Sequence, residues 1–294
     1  MTDTVLEAHG LGKRIGGRDI LTGISARVNT GDVIGVIGKN GAGKTTLLET
    51  LLGLSPASSG VARIFGDESL QLSSRTKERI GFVPQQDELI GAISGARQLE
   101  LTAVFYRNWD RALIERLAGE WEVPLRQRTM SMSGGEKQKL STLLALGHRP
   151  DLLVLDEPAS SLDPVARRRF LQQVLEIAAE GPRAVLFSTH IVSDLERIAN
   201  RIWVVKNGRL LWDGDTDALK ESVRRLHLRT TQPLPPKLDI PGTLSERRSA
   251  DGLTATLGVR DLDASLLPAL EQRLHATAEF EALGLEDVFL ELHA

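Results

Sequence analysis

The 294-residue chain has no cysteine, which excludes disulfide staples and thiolate zinc sites and accords with a reducing, cytoplasmic setting. Aromatics are scarce as well: seven Phe, four Trp and one Tyr, with none before Phe65. No apolar run approaches the roughly 18 residues that a membrane-spanning helix requires, so any crossing of a bilayer falls to another polypeptide. Charge of one sign is lacking too. The 36 Lys and Arg against 39 Asp and Glu leave a net charge of −3, and no global field favours nucleic acid. The opening Met1-Thr2-Asp3-Thr4 is polar without the basic-then-apolar order of a signal peptide, so none is expected.

What is present is phosphate chemistry. Gly38-Lys39-Asn40-Gly41-Ala42-Gly43-Lys44-Thr45-Thr46 fits the P-loop pattern G-x-x-x-x-G-K-[ST]. Val33-Ile34-Gly35-Val36-Ile37 before it reads as a buried strand, and Thr45 to Leu52 behind it as a helix. Glycines let the loop backbone turn its N–H groups toward phosphate, and the helix N-terminus adds partial positive charge. Lys44 is expected to reach the β- and γ-phosphates and Thr45 to hold Mg²⁺ through its hydroxyl. Such a loop alone says only that phosphate is bound.

Leu152-Leu153-Val154-Leu155 reads as a central parallel strand, with Asp156 and Glu157 at its carboxyl end, where open α/β sheets bind ligands. Taken alone, the acidic pair reads more readily as helix caps, since Pro158 follows and a helix begins near Asp163. Beside a P-loop, Asp156 suits the Mg²⁺ shell and Glu157 suits polarising a water. Help of that kind contributes roughly 10²–10⁴-fold. Ser133-Gly134-Gly135-Glu136 opens a further helical stretch, Gln138 to Leu146. A serine and two glycines at a helix start make a second phosphate nest, although the tetrapeptide alone is an ordinary glycine turn more often than not.

With these three blocks in this order, the chain resembles the ATP-binding-cassette (ABC) ATPases. The resemblance implies that two subunits sandwich two ATP molecules, the P-loop of one facing the Ser133-Gly134-Gly135-Glu136 signature of the other. Further matches occur in family order. Gln85, after Val83-Pro84, fits the Q-loop glutamine that touches Mg²⁺ and the shell of the attacking water. Asp163, in Ser160-Ser161-Leu162-Asp163-Pro164, fits the D-loop contact across the dimer. His190, after Leu186-Phe187-Ser188-Thr189, fits the switch histidine that senses the γ-phosphate. The resemblance thus implies ATP and Mg²⁺ as cofactors, Glu157, His190 and Gln85 as catalytic residues, and Thr45, Asp156 and Gln85 around the metal.

Two departures stand out. Many family members stack adenine on an aromatic residue before the P-loop; here Gly12-Lys13-Arg14-Ile15-Gly16 occupies that stretch, leaving Ile15 or the flat face of Arg14 to support the base. Loss of a base–aromatic stack costs about 1–3 kcal/mol. The signature also carries Met132 and Glu136 where leucine and glutamine are commoner.

The expected architecture is α/β: a P-loop NTPase core with an N-terminal antiparallel β-layer in residues 1–37 and a parallel core from 38–85 and 150–215. A helical subdomain is inserted at about 86–149. The ATPase domain is expected to span 1–222, and residues 223–294, after the Pro-rich Pro233-Leu234-Pro235-Pro236, to form a small α/β accessory domain. Phe105-Tyr106-Arg107-Asn108-Trp109-Asp110 reads either as core or as a groove wall gripping a helix of a membrane partner. A similar element, and the ending Leu285-Glu286-Asp287-Val288-Phe289-Leu290, occur in the drug and polysaccharide exporter branch. The implied function is an exporter's ATPase subunit on the cytoplasmic face of the membrane. It would work through separate transmembrane permease subunits and a second ATPase subunit. ABC ATPases acting on ribosomes or DNA usually have paired domains, long coiled coils or cysteine-zinc modules, none of which occurs here, and the C-terminal ending disfavours an import ATPase.

Overall fold

Gly16 and Gly17 both adopt positive φ, the requirement of a tight two-residue hairpin, and so fold β1 (Thr4–Ile15) back on β2 (Arg18–Asn29). The computed structural model describes residues 3–178, 180–196 and 198–294; Met1 and Thr2, part of the polar N-terminus read above, lie outside them. After β3 (Val33–Ile37) and α1 (Lys44–Leu51) come β4 (Ser59–Ile64) and β5 (Asp67–Glu68), which complete an antiparallel sheet of order β2-β1-β4-β5. An N-terminal β-layer is present, but its bounds differ from the expected residues 1–37: Val33–Ile37 joins the parallel sheet, while the layer draws β4 and β5 from the stretch assigned to the parallel core. Its inward residues Leu6, Ala8, Leu11, Ile24 and Val28 share one core cluster with Leu47, Leu48 and Leu51 of α1.

A second sheet has six strands. The short α2 (Ser74–Lys77) leads into β6 (Ile80–Val83), and α3 (Gly95–Ala103), α4 (Arg111–Glu120) and α5 (Gly134–Leu146) follow before β7 (Leu152–Asp156). Then come α6 (Pro164–Ala178), β8 (Ala184–Thr189), α7 (Val192–Leu195), β9 (Arg201–Lys206) and β10 (Arg209–Asp215). The strand order is β10-β9-β3-β8-β7-β6, and β9, β3, β8, β7 and β6 run parallel. Strands β7 and β8 are buried along their whole length, as their near-continuous apolar sequences require. Register then fixes what stands at the carboxyl edge. Ile37 pairs with Thr189 and Asp156 with Ser188, so Gly38, His190 and Glu157 leave the sheet side by side.

In the inserted helical stretch, Asp110 caps α4 by accepting the Leu113 N–H at 2.9 Å. The aromatic cluster divides: Tyr106 stacks on His148 at 3.9 Å and Trp109 covers Gly147, whereas Phe105 is 78% exposed.

The chain divides into two compact units, with the change at Asp213/Gly214 and not at the expected Ser222/Val223. The reason is local: α8 (Thr216–Ser222) packs on β11 (Val223–Thr230), inside the smaller unit. That unit adds β12 (Thr243–Arg248), β13 (Thr254–Arg260), α9 (Leu267–Leu274), β14 (Ala276–Ala282) and α10 (Leu285–Leu292). Its antiparallel sheet, of order β12-β13-β11-β14, buries Leu226, Leu228, Leu257 and Val259 against Leu270 and Leu274 of α9. On the opposite face buried Glu291 of α10 meets Arg225 at 3.1 Å.

Candidate functional site

The P-loop backbone is the first component. Gly41 (φ 78°) and Gly43 (φ 102°) take left-handed conformations, and a Cβ at Gly38 would lie 2.5 Å from the Val205 carbonyl oxygen. Lys39, Asn40 and Gly41 are exposed, while Ala42 is buried under the turn. Lys44 is 6% exposed; its Nζ donates to the Gly38 carbonyl at 3.0 Å and lies 3.5 Å from Glu157 Oε1. Thr45 Oγ1 donates to Gln85 Oε1 at 3.4 Å, which selects Gln85 over Gln86 as the glutamine at this site.

Glu157 is the centre of the arrangement. Its φ of 47° is unusual for a residue with a long side chain, and strain of this kind costs on the order of 1–3 kcal/mol. Three contacts hold it there: Lys44 at Oε1, His190 Nδ1 at 2.9 Å from Oε2, and the Ser188 Oγ that accepts the Glu157 N–H at 2.9 Å. The Ser188 hydroxyl donates in turn to Asp156 Oδ1. Asp156 is 1% exposed, and its Oδ2 has no hydrogen-bond partner among the described residues.

Sequence reasoning missed Ser188, although a polar residue ending the apolar run Ala184 to Phe187, two positions before His190, was the available signal. It missed Gln138 too, a buried residue of α5 whose carboxamide binds Ser160 and Ser161. The structure therefore brings together Gly38 to Thr46, Gln85, Asp156, Glu157 and His190.

The signature and D-loop residues make their hydrogen bonds elsewhere. Ser133 caps α5 and forms a capping box with Glu136: Glu136 Oε2 accepts the Ser133 N–H at 2.7 Å and the Ser133 hydroxyl at 2.9 Å. The backbone N–H of Ser133, then its hydroxyl, hold the Glu136 carboxyl below the usual range. Asp163 Oδ1 accepts the N–H groups of Ala166 and Val165, both at 3.0 Å, and the Ala166 bond above all lowers its pKa. Gly134 and Gly135 lie against Ser161 and Leu162 of the same chain.

A lysine on a glycine loop, facing a carboxylate pair at the carboxyl edge of a parallel sheet, defines a P-loop nucleotide hydrolase. Comparison with known proteins narrows the class. The ABC transporter family model matches residues 21–160. The Nod factor export ATP-binding protein I of Ralstonia nicotianae is 32% identical over 98% of this chain and 93% of its own length. The protein of the same name in Cupriavidus metallidurans is 30% identical, over 98% and 97%. A solved ATP-binding subunit of an ABC transporter superposes with a TM-score of 0.65 at 26% identity, covering 74% of this chain and 92% of that one. The chain belongs to the ABC transporter ATP-binding protein family and is an ATP-binding, ATP-hydrolysing subunit of that kind. Subunits of the family dimerise and act with transmembrane subunits. Among the described residues no helix is long and apolar enough to cross a membrane.

Proposed function

We propose that this subunit uses ATP hydrolysis to drive export through separate transmembrane subunits, from the cytoplasmic face of the membrane. The observation that carries the reading is the placement of Glu157 at the sheet edge, held between buried Lys44 and His190. The two relatives named for export, similar over nearly the whole chain, support the direction.

Lys44 exchanges its present partners, the Gly38 carbonyl and Glu157, for the β- and γ-phosphate oxygens of ATP. Glu157 is thereby released at Oε1 to take a proton from the attacking water, while His190 holds the carboxylate at Oε2. The residues fit a Mg²⁺ ion. Asp156 Oδ2 is buried without a partner among the described residues, and Thr45 Oγ1 and Gln85 Oε1 add hard oxygen donors. Asp156, Thr45 and Gln85 would hold the ion, which when bound supplies neutralisation of phosphate charge. Ser133, Gly134, Gly135 and Glu136 of a second subunit face the γ-phosphate, and Asp163 makes its contact across the dimer. Exposed Phe105 and Val104, at 78% and 81%, offer apolar surface for a permease helix. The unit from Gly214 to Ala294 is accessory.

Glu157→Gln tests this reading. Hydrolysis should fall by roughly 10²–10⁴-fold with ATP binding intact, because the amide takes no proton from water. An ATP-bound dimer should accumulate. Turnover within a few-fold of wild type would remove Glu157 from the base role.

A further inference from the structure

Gln138 is only 8% exposed, and both ends of its carboxamide are engaged. Oε1 accepts the Ser161 N–H at 3.0 Å; Nε2 donates to Ser160 Oγ at 2.9 Å and to the Glu157 carbonyl oxygen at 3.4 Å. Among the described residues the partners of the carboxamide thus lie in the segment that begins with Glu157 and ends at Asp163. Gln138 itself lies on α5, whose N-terminal cap is Ser133. Shape reinforces the bridge. A Cβ at Gly134 would come within 3.1 Å of Ser161 Oγ, and one at Gly135 within 2.6 Å of Leu162 Cδ2, so the segment presses directly on the start of the helix. One residue earlier on α5, Lys137 Nζ lies 3.5 Å from Asp87 Oδ2, two positions after Gln85.

We propose that Gln138 is a positioning residue for hydrolysis, tying the Glu157–Asp163 segment to the helix that carries Ser133, so that phosphate engaged at Ser133 sets the geometry of Glu157 in the same chain. This rests on the two-subunit ATP site proposed above. In such a dimer Ser133 meets the nucleotide on its partner's P-loop, whereas Glu157 serves the nucleotide on its own. Gln138 therefore joins the two sites through one chain, and hydrolysis should be cooperative in ATP.

The test is Gln138→Met, which keeps the volume and removes all three hydrogen bonds. Displacement of a reacting group by about 1 Å costs on the order of 10²-fold, so kcat should fall between about tenfold and a hundredfold. ATP affinity, measured by titration, should stay within about twofold, because no P-loop contact to phosphate is touched. The Hill coefficient for ATP should fall toward one. Gln138→Glu keeps an acceptor for the Ser161 N–H and lets the Ser160 hydroxyl donate, and it should recover part of the lost kcat. Wild-type kcat and cooperativity in Gln138→Met would overturn the proposal. So would a lowered Tm with kcat per bound nucleotide unchanged. If Gln138→Met does not fold, Ser160→Ala, which removes the 2.9 Å bond from Gln138 Nε2, carries the test, and wild-type kcat and Hill coefficient there would overturn it equally. ATP-dependent dimerisation of Glu157→Gln, followed by size-exclusion chromatography, separates the two readings. Its absence removes the two-subunit site, whereas its presence with unchanged Gln138→Met kinetics removes only the role of Gln138.

Discussion

Ser188→Ala is the sharpest probe of how the site is held. The hydroxyl is fully buried and does two things: it donates to Asp156 Oδ1 and accepts the Glu157 N–H at 2.9 Å. A hydrogen bond to a charged group contributes about 1.5–3 kcal/mol and a neutral one about 0.5–1.5. Removing both should destabilise the nucleotide-free protein by about 2–4 kcal/mol, since the variant leaves a buried carboxylate without its hydroxyl donor and a strained Glu157 without its backbone anchor. For a unit of this size each kcal/mol moves Tm by roughly 2–4 °C, which gives a fall of about 4–16 °C by scanning calorimetry. Hydrolysis should fall as well, because the same bond fixes the backbone of Glu157. A Tm within about a degree of wild type, together with unchanged kcat, would refute the argument that this one hydroxyl holds both the Asp156 carboxylate and the Glu157 backbone.

Three other outcomes are expected. Mixing Lys44→Ala with Ser133→Arg subunits, each inactive alone, should restore one composite site, read as ATPase activity in tag-purified heterodimers; no recovery would count against the facing arrangement. Ile15 is 51% exposed at the end of β1, in a hairpin whose Ile20 carbonyl would lie 3.2 Å from a Cβ on Gly43. Ile15→Tyr should therefore tighten both ATP and GTP by up to about 1–3 kcal/mol, and unchanged dissociation constants would end the idea. Burial pushes the His148 imidazole down to about 4 from 6.5, so the folded state binds its proton less readily than the unfolded chain. Stability should consequently decline as pH falls from 6.5 toward 4 and level off below, a slope that His148→Phe should flatten in urea titrations.

The parts of this protein that were legible in its sequence are those whose chemistry is local. Gly38 to Thr46 is contiguous, and Asp156 and Glu157 directly follow the apolar run that buries their strand. Ser188 acts only because β7 and β8 pair with Asp156 opposite it, a register that no short stretch encodes. Gln138 was equally silent, since its partners lie in a segment on the far side of a strand and a loop. The division falls at Asp213/Gly214 because α8 packs on β11, a contact that the local sequence of the helix does not announce. Strand β12, Thr-Leu-Ser-Glu-Arg-Arg, offers almost no apolar alternation and is held by pairing with β13. The aromatic cluster was readable either way, and it is split: Tyr106 is tucked against His148 and Phe105 is left outside.

The two signature glycines have a consequence for how mutational scans of this chain should be interpreted. A Cβ at Gly135 would lie 2.6 Å from Leu162 Cδ2 of its own subunit, so the leucine side chain must shift to admit it, and one at Gly134 crowds Ser161. An inactive Gly135→Ala variant would therefore mix a displaced Leu162 within the subunit with any contact between subunits. Ser133 is the more diagnostic position: its side chain is exposed, and among the described residues its hydroxyl bonds Glu136 on the same turn.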